Sequence, residues 1–181
     1  MSKKAPIDNK EPFEDESNLT EGDDAAAALG NLDFDVKDEY KPDPLIPKGI
    51  FHAAATKIKF DPAQSCIVWD FCLHDNGGVM NDGITPIDGA HVFYRNWLPK
   101  PGDEGIPTKS GKTNKRQSKI NMLKDFEEVL GIDMSTPAKI AGSLQDQTWI
   151  GVEADLEIVV EEYQGRYRNV ANKVMKSKMF S

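Results

Sequence analysis

The sequence has few cysteines and no long apolar run. Only two cysteines occur among 181 residues, Cys66 and Cys72. On a strand their spacing places both side chains on one face, too far along the chain for a disulfide. No stretch approaches the roughly 20 apolar residues that cross a bilayer, and the first residues lack the apolar segment of a signal peptide. These absences predict a soluble protein of a reducing cytoplasm, with no membrane partner.

Acidic charge is concentrated in the first quarter of the chain. Residues 1–45 contain 13 acidic and 5 basic side chains, whereas residues 46–181 contain 17 of each, so the net charge of −8 arises in the first segment. The segment has few large apolar side chains, so it cannot bury enough surface to offset the entropy of ordering. We predict an acidic, largely disordered arm over 1–45 and a domain over 46–181 with one hydrophobic core. Within the arm, a capping box from Thr20 predicts a short helix that ends before Gly30.

Beyond Gly49 the pattern favours strands and tight turns. We predict strands over 50–60, 66–74 and 91–98, then a helix from about residue 114 to Leu130 with Gly131 beyond its end. A second helical turn begins at Thr136-Pro137 and ends near Gly142. The next strand has one apolar face, formed by Ile150, Val152, Ala154, Leu156, Ile158 and Val160, whereas its other face carries Trp149, acidic residues and Tyr163. Gln164-Gly165 then turns the chain into a last strand over 166–175.

This element order predicts the fold class. Five strands with one helix between strands 3 and 4 indicate a mainly β protein, a five-stranded OB-fold-like barrel, and such barrels bind oligonucleotides. An SH3-like barrel and a small α+β sheet are the alternatives. An open barrel has edges that could pair between two copies of the chain, as in a homodimer.

No pattern indicates catalysis, a metal or a cofactor. The segment from Gly105 to Thr113 resembles a phosphate-binding loop, but it has five residues between its glycines instead of four and follows a loop instead of a strand. Cys66, Cys72 and His74 share a strand face without the short turn of a zinc motif. His52 and His91 have no carboxylate pattern nearby in sequence. We therefore predict a protein that is not an enzyme; a small nuclease is the weakest alternative.

A basic segment stands out against the acidic total. Residues 108–124 contain six cations and no acid. Most of them fall on a loop and the first turns of the helix, where the helix dipole disfavours positive charge. Phosphate contacts would explain them, whereas a solvated loop is the ordinary alternative.

Aromatic residues favour the phosphate explanation, because single-strand binders combine a cationic groove with side chains on which bases stack. The third strand carries His91, Phe93, Arg95 and Trp97 on one face, which we expect to be exposed. Trp69 and Phe71, in contrast, are expected in the core. The predicted phosphate contacts are Lys57, Lys59, Arg95, Lys112, Lys115, Arg116, Lys119, Arg166 and Arg168, and the predicted stacking residues are Phe93, Trp97 and Tyr167.

Three segments carry a resemblance to a known family. The segment Leu45–Phe51, the helix end Leu130-Gly-Ile and the hairpin Glu162–Val170 resemble small bacteriophage-encoded single-stranded DNA-binding proteins of the OB-fold type, over about residues 45–176. The resemblance implies a protein that coats single strands during phage replication, recombination or repair, in the host cytoplasm and without a cofactor.

Two hypotheses follow from these observations. The first is a sequence-tolerant single-stranded DNA-binding protein. The alternative is a non-enzymatic protein-interaction module, or a DNA mimic that modulates a host or phage enzyme. In either case the acidic arm could occupy the basic groove or recruit replication or recombination proteins.

Overall fold

The computed structural model describes residues 22–179, and contacts divide the chain into two units, Met1–Pro42 and Asp43–Ser181. The first unit contains helices α1 (Gly22–Leu29) and α2 (Val36–Glu39). The Asp35 side chain caps α2 by accepting from two backbone N–H groups. The short helix predicted before Gly30 is confirmed. Its predicted cap at Thr20, and residues 1–21 of the arm predicted to be largely disordered over 1–45, lie outside the described residues.

The second unit is built on a five-stranded antiparallel sheet with one long helix between its third and fourth strands. Hydrogen bonds join the strands in the order β3-β2-β1-β4-β5. β3 and β5 therefore form the two edges; they approach each other without pairing, so the sheet is not closed into a barrel. The strands are β1 (Gly49–Asp61), β2 (Cys66–Leu73), β3 (His91–Trp97), β4 (Glu153–Tyr163) and β5 (Arg166–Lys176).

Alternation of side chains determines which face of the sheet is buried. Ile67, Trp69, Phe71 and Leu73 of β2 are fully buried, as predicted. A bulge between Ala55 and Lys57 shifts the register of β1 against β2. At the β4–β5 turn, Gln164 and Gly165 both have positive φ, 52° and 75°, which is the geometry that a two-residue hairpin requires.

Two helices follow β3. Helix α3 (Lys115–Leu130) begins at Asn114, whose side chain accepts from the Gln117 N–H, and ends at Gly131 with φ of 66°, as predicted. It packs against β3 and β5. Helix α4 (Pro137–Asp146) is capped by Thr136, but it continues beyond Gly142 to a left-handed residue, Gln147. The predicted end of α4 was too early because a glycine inside a helix weakens it without terminating it.

Aromatic rings form the centre of the core. Trp69 stacks on Trp149 with ring centroids 5.5 Å apart and packs on Phe126 at 5.1 Å. The prediction that Trp149 lies on the polar face of a strand is wrong: β4 begins only at Glu153, and Gly151 with φ of 84° ends a turn that directs the indole into the core. Val160 points to the same side as Ile158, as predicted, but it is 40% exposed because the distal half of β4 extends beyond the core. Ile150, predicted on the same face, lies in the turn before β4 and is 41% exposed.

The two cysteines are free thiols, Cys66 buried and Cys72 half-buried. Burial raises the pKa of the Cys66 thiol, which keeps it protonated and unreactive near neutral pH. Across residues 22–179, helices of the length and hydropathy needed to cross a bilayer are absent.

Candidate nucleic-acid interface

Strands β1, β2 and β3 present one exposed face that carries aromatic and basic side chains. Residues that are directly paired in an antiparallel sheet point to the same side. Val68 of β2 pairs with both Lys59 of β1 and Arg95 of β3, so the lysine and the arginine lie about 10 Å apart across two strand spacings. Asp70 pairs in the same way with Lys57 and Phe93. We call this surface the β1–β3 face, and its five members are Lys57, Lys59, Phe93, Arg95 and Trp97.

The aromatic members of the β1–β3 face are open to solvent. Phe93 is 54% exposed and Trp97 is 41% exposed, while the alternating residues Val92 and Asn96 are buried. The prediction that this face of β3 points outward is confirmed. Phe93 and Trp97 are four residues apart, so their Cα atoms are about 13 Å apart along the strand. Large apolar rings left in water at regular spacing suit ligands with flat apolar faces.

Two carboxylates interrupt the positive charge of this face. Asp70 lies between Lys57 and Phe93, and its Oδ1 is 2.7 Å from Nδ1 of His91. Asp61, at the end of β1, pairs with Cys66, and its side chain accepts from the Gln64 N–H. The face therefore combines separate cations with rings and is not a uniform basic patch.

The basic segment of the sequence lies on a loop and on the start of α3. Lys112, Lys115 and Arg116 are all exposed there. Arg116 also lines a largely apolar cleft of about 830 Å³ together with Leu98, the residue that follows Trp97. The beginning of α3 is thus next to the end of β3 that carries Trp97.

Lys119 belongs to the interior and not to this surface. Its side chain is buried, and Nζ donates to Asp103 Oδ2 at 2.7 Å and to the Leu98 carbonyl at 3.0 Å. The hydrogen bond from Lys119 lowers the pKa of Asp103, against the desolvation of that carboxyl. Because its ammonium is satisfied inside the fold, Lys119 is not available to a phosphate, and its inclusion among the predicted phosphate contacts is wrong. One helical turn away, the Lys115 side chain is about half exposed, with its Nζ 3.9 Å from Asp103 Oδ1.

The predicted residues on the last hairpin do not share one surface. Tyr167 is 65% exposed and pairs with Glu162, whereas Arg166 and Arg168 point to the other side of the hairpin. Arg168 lies 4.6 Å from the centre of the Tyr163 ring, and its guanidinium is 3.6 Å from Glu161. Both arginines follow the Gln164-Gly165 turn, at the start of β5, the strand that approaches β3.

Sequence reasoning missed a cluster at the opposite end of β1. His52, His74 and Glu153 bring ring nitrogens and a carboxylate oxygen within 4.8 Å of one another. These residues come from β1, from the connection after β2, and from the first residue of β4. The three residues are far apart in the sequence, so no local pattern reveals the cluster. The pairing of β1 with β4, which sets Ala54 opposite Glu153, brings the carboxylate next to the histidines.

Comparison with known proteins adds no family to these observations. Scans of the chain against protein-family models and against curated proteins give no match.

Proposed function

We propose that this protein binds single-stranded DNA without sequence preference, in phage DNA replication, recombination or repair. The observation that carries the proposal is the β1–β3 face, where the exposed rings of Phe93 and Trp97 alternate with Arg95 on one edge strand. Every base has a π-face, so stacking on such rings tolerates any sequence, while cations on the same surface hold the phosphates. This function places the protein in the cytoplasm of the host cell.

The strand order supports an OB-fold interpretation. An OB-fold is a partly open barrel that binds oligonucleotides on its second and third strands. Here β2 and β3 carry the candidate face, the only long helix of the described residues lies between β3 and β4, and the edge strands β3 and β5 approach each other. We propose that the domain is an OB-fold opened between β3 and β5, whose exposed edges also allow pairing between two copies.

The first test is the salt dependence of DNA binding. Fluorescence anisotropy of labelled oligo-dT, titrated with the full chain, should show an affinity that falls steeply between low and physiological salt, because each phosphate contact releases counterions. Replacing both lysines of the face, Lys57→Gln with Lys59→Gln, should reduce the slope of log Kd against log salt by about 1 to 2.

Lys124→Gln is the matched control for the lysine variants. Lys124 lies on the exposed side of α3, and its ammonium is 3.2 Å from Glu128. Its removal should leave the salt slope unchanged. If the control and the Lys57/Lys59 variant lose the same amount of slope in log Kd against log salt, DNA is held by the overall charge of the protein and not by contacts at the β1–β3 face.

A second candidate function is a protein-interaction module. The observation that favours it is a run of exposed apolar side chains in the acidic part of the first unit. Such exposed apolar groups are typical of docking segments. They are Leu29, Leu32, Phe34, Val36 and Tyr40, each more than half exposed.

Deleting residues 1–45 separates the two functions. If the acidic arm competes with DNA for the basic surface, residues 46–181 should bind oligo-dT more tightly than the full chain at low salt, and the difference should shrink at physiological salt. Equal affinities would exclude the arm as a competitor. Absence of DNA binding by both chains would favour the interaction module.

A further inference from the structure

The histidine cluster converges on one carboxylate oxygen. Nε2 of His52 lies 2.8 Å from Oε2 of Glu153, and Nε2 of His74 lies 2.9 Å from the same atom. The two rings meet edge to face, with centroids 4.6 Å apart. Three potential ligand atoms thus point towards one small volume at the surface of the sheet.

The opposite nitrogen of each ring already has an acceptor. Nδ1 of His52 lies 3.0 Å from Asp155 Oδ1, and Nδ1 of His74 lies 2.7 Å from Asp75 Oδ2. A neutral imidazole has a single N–H. In the tautomer that carries it on Nδ1, each ring donates to Asp155 or Asp75 and its Nε2 lone pair is available to a metal ion. Without a cation, Glu153 Oε2 lies close enough to accept an N–H from Nε2 of either ring. A cation would displace those protons and take the three atoms as its ligands.

The backbone around the cluster is fixed before any ligand binds. Asn76 accepts from the His52 N–H at 2.6 Å and donates to the carbonyls of His52 and His74, both at 2.9 Å. Asp88 in turn accepts from the Asn76 N–H at 2.9 Å. One side chain thereby ties the two histidine-bearing segments together, which is the preorganisation that a tight site needs.

Access and charge also suit a cation. The His74 and Glu153 side chains are about one-third exposed, 34% and 29%, while His52 is buried, so the site opens to solvent on one side. Three carboxylates, those of Asp75, Glu153 and Asp155, surround the two rings.

We propose that His52 Nε2, His74 Nε2 and a Glu153 oxygen bind one divalent cation of the zinc class, with water as the fourth ligand. Two imidazoles and a carboxylate are ligands that zinc accepts, and a site with three protein ligands leaves one position open. Asp155 and Asp75 then serve as the carboxylates that orient ligating histidines through Nδ1. The inference is independent of the proposed DNA binding.

Binding requires the three ligand atoms, which lie within 4.8 Å of one another, to rearrange around the ion. Zinc holds nitrogen and oxygen ligands at about 2.0–2.2 Å in a tetrahedron, so its ligand atoms lie about 3.3 Å apart. The two contacts to Glu153 Oε2 would widen by about half an ångström, which rotation of the exposed Glu153 side chain can supply. The ion would cross-link β1, β4 and the segment that follows β2.

Isothermal titration of the full chain with zinc chloride at pH 7.5, after treatment with EDTA and gel filtration, tests the proposal. The expected result is saturation at one ion per chain. Glu153→Gln and His74→Asn should each weaken binding by about 100-fold or more. Asp75→Asn, which removes an orienting carboxylate, should weaken it by about 10–100-fold.

His91→Asn is the matched control. His91 is the remaining histidine, it also contacts a carboxylate, Asp70, and it lies outside the cluster, so its loss should leave zinc affinity unchanged. Circular dichroism and the melting temperature without metal identify variants that fail to fold. In the folded variants, zinc should raise the melting temperature of the His91→Asn chain but not of the Glu153→Gln chain.

Two results would overturn the assignment. The first is a wild-type chain that does not saturate with zinc, which would make the cluster a hydrogen-bonded network only. The second is a folded Glu153→Gln chain that binds zinc as tightly as the wild type, which would place the ion elsewhere, for example on Cys72. A cobalt-loaded chain distinguishes these positions, since a thiolate ligand adds an intense charge-transfer band that the proposed ligand set lacks.

Discussion

Replacing Phe93 and Trp97 together with alanine is expected to weaken oligo-dT binding by about 30-fold or more. Stacking of a base on an aromatic ring contributes about 1–3 kcal/mol, and the two rings lie far enough apart to hold different bases. Both side chains are exposed, so their loss should change the melting temperature little. Anisotropy titration at one fixed salt concentration measures the effect.

Phe60→Ala is the matched control for this double variant. Phe60 is a phenylalanine of similar exposure, 48%, and its partner Ile67 is a core residue, so its ring lies on the other side of the sheet from Phe93. Its replacement should leave DNA affinity unchanged. A comparable loss in the control would point to the wrong face or to a general disturbance of the sheet.

Tryptophan fluorescence gives an independent readout of the same prediction. The chain has three tryptophans, and Trp69 and Trp149 are buried against each other, whereas Trp97 is exposed. Quenching on DNA binding should therefore come from Trp97 and disappear in Trp97→Phe, which retains a ring for stacking. Quenching that persists in this variant would contradict the placement of DNA on β3.

Lys119→Met is expected to lower the melting temperature by about 10 °C. The substitution leaves the Asp103 carboxylate buried without its main cationic partner, and breaking a buried ion pair from one side is strongly destabilising. Differential scanning calorimetry at neutral pH measures the change. A loss of only one or two degrees would contradict the structural role given to this lysine.

The double variant Lys119→Met with Asp103→Asn is expected to recover much of that loss. It removes the buried charge, while the asparagine oxygen still accepts from the Lys100 N–H that now binds Asp103. Lys115→Met provides the surface control, because that ammonium is nearly half exposed and 3.9 Å from the carboxylate. Its effect should be small.

The contribution of the Lys119–Asp103 pair should depend on pH in a defined direction. Lys119 lowers the pKa of Asp103 in the folded state. A lowered carboxyl pKa stabilises the fold at pH values above the unfolded pKa of about 3.9, and this stabilisation is lost as the pH falls through the folded value. The difference in stability between the wild type and Lys119→Met should therefore be full at neutral pH and shrink in acid.

Local patterns predicted most of the fold, since strict alternation located the buried face of β2 and the exposed face of β3. Asn114 and Gly131 likewise marked both ends of α3. Trp149 was misplaced because the alternation of apolar and polar residues in β4 was assumed to start before Gly151. The positive φ of Gly151 interrupts the extended backbone there, so Trp149 does not belong to the strand. Local patterns did not reveal that β3 and β5 stay unpaired, because pairing between strands so far apart in sequence depends on long-range geometry.

The candidate sites were predictable to different degrees. The exposed aromatic side chains of the β1–β3 face follow from the alternation along β3, and its lysines follow from the alternation along β1, on the far side of β2. Lys119 was assigned to the surface because its neighbours in sequence are basic, whereas its burial depends on Asp103, which lies 16 residues away in a separate turn. The histidine cluster depends on residues 79 positions apart, from His74 to Glu153, and such juxtaposition is visible only in three dimensions.

The unpaired edges of β3 and β5 mark the place where the sheet can deform most easily. All other neighbouring strands of the described sheet are joined by backbone hydrogen bonds, and separating any of those pairs would break these bonds. β3 and β5 share no such bonds, so their separation would require only that side chains repack. Helix α3 contacts both edges and resists that separation. Since β3 carries Phe93 and Trp97, we expect the packing of α3 to limit how far the β1–β3 face can change its curvature.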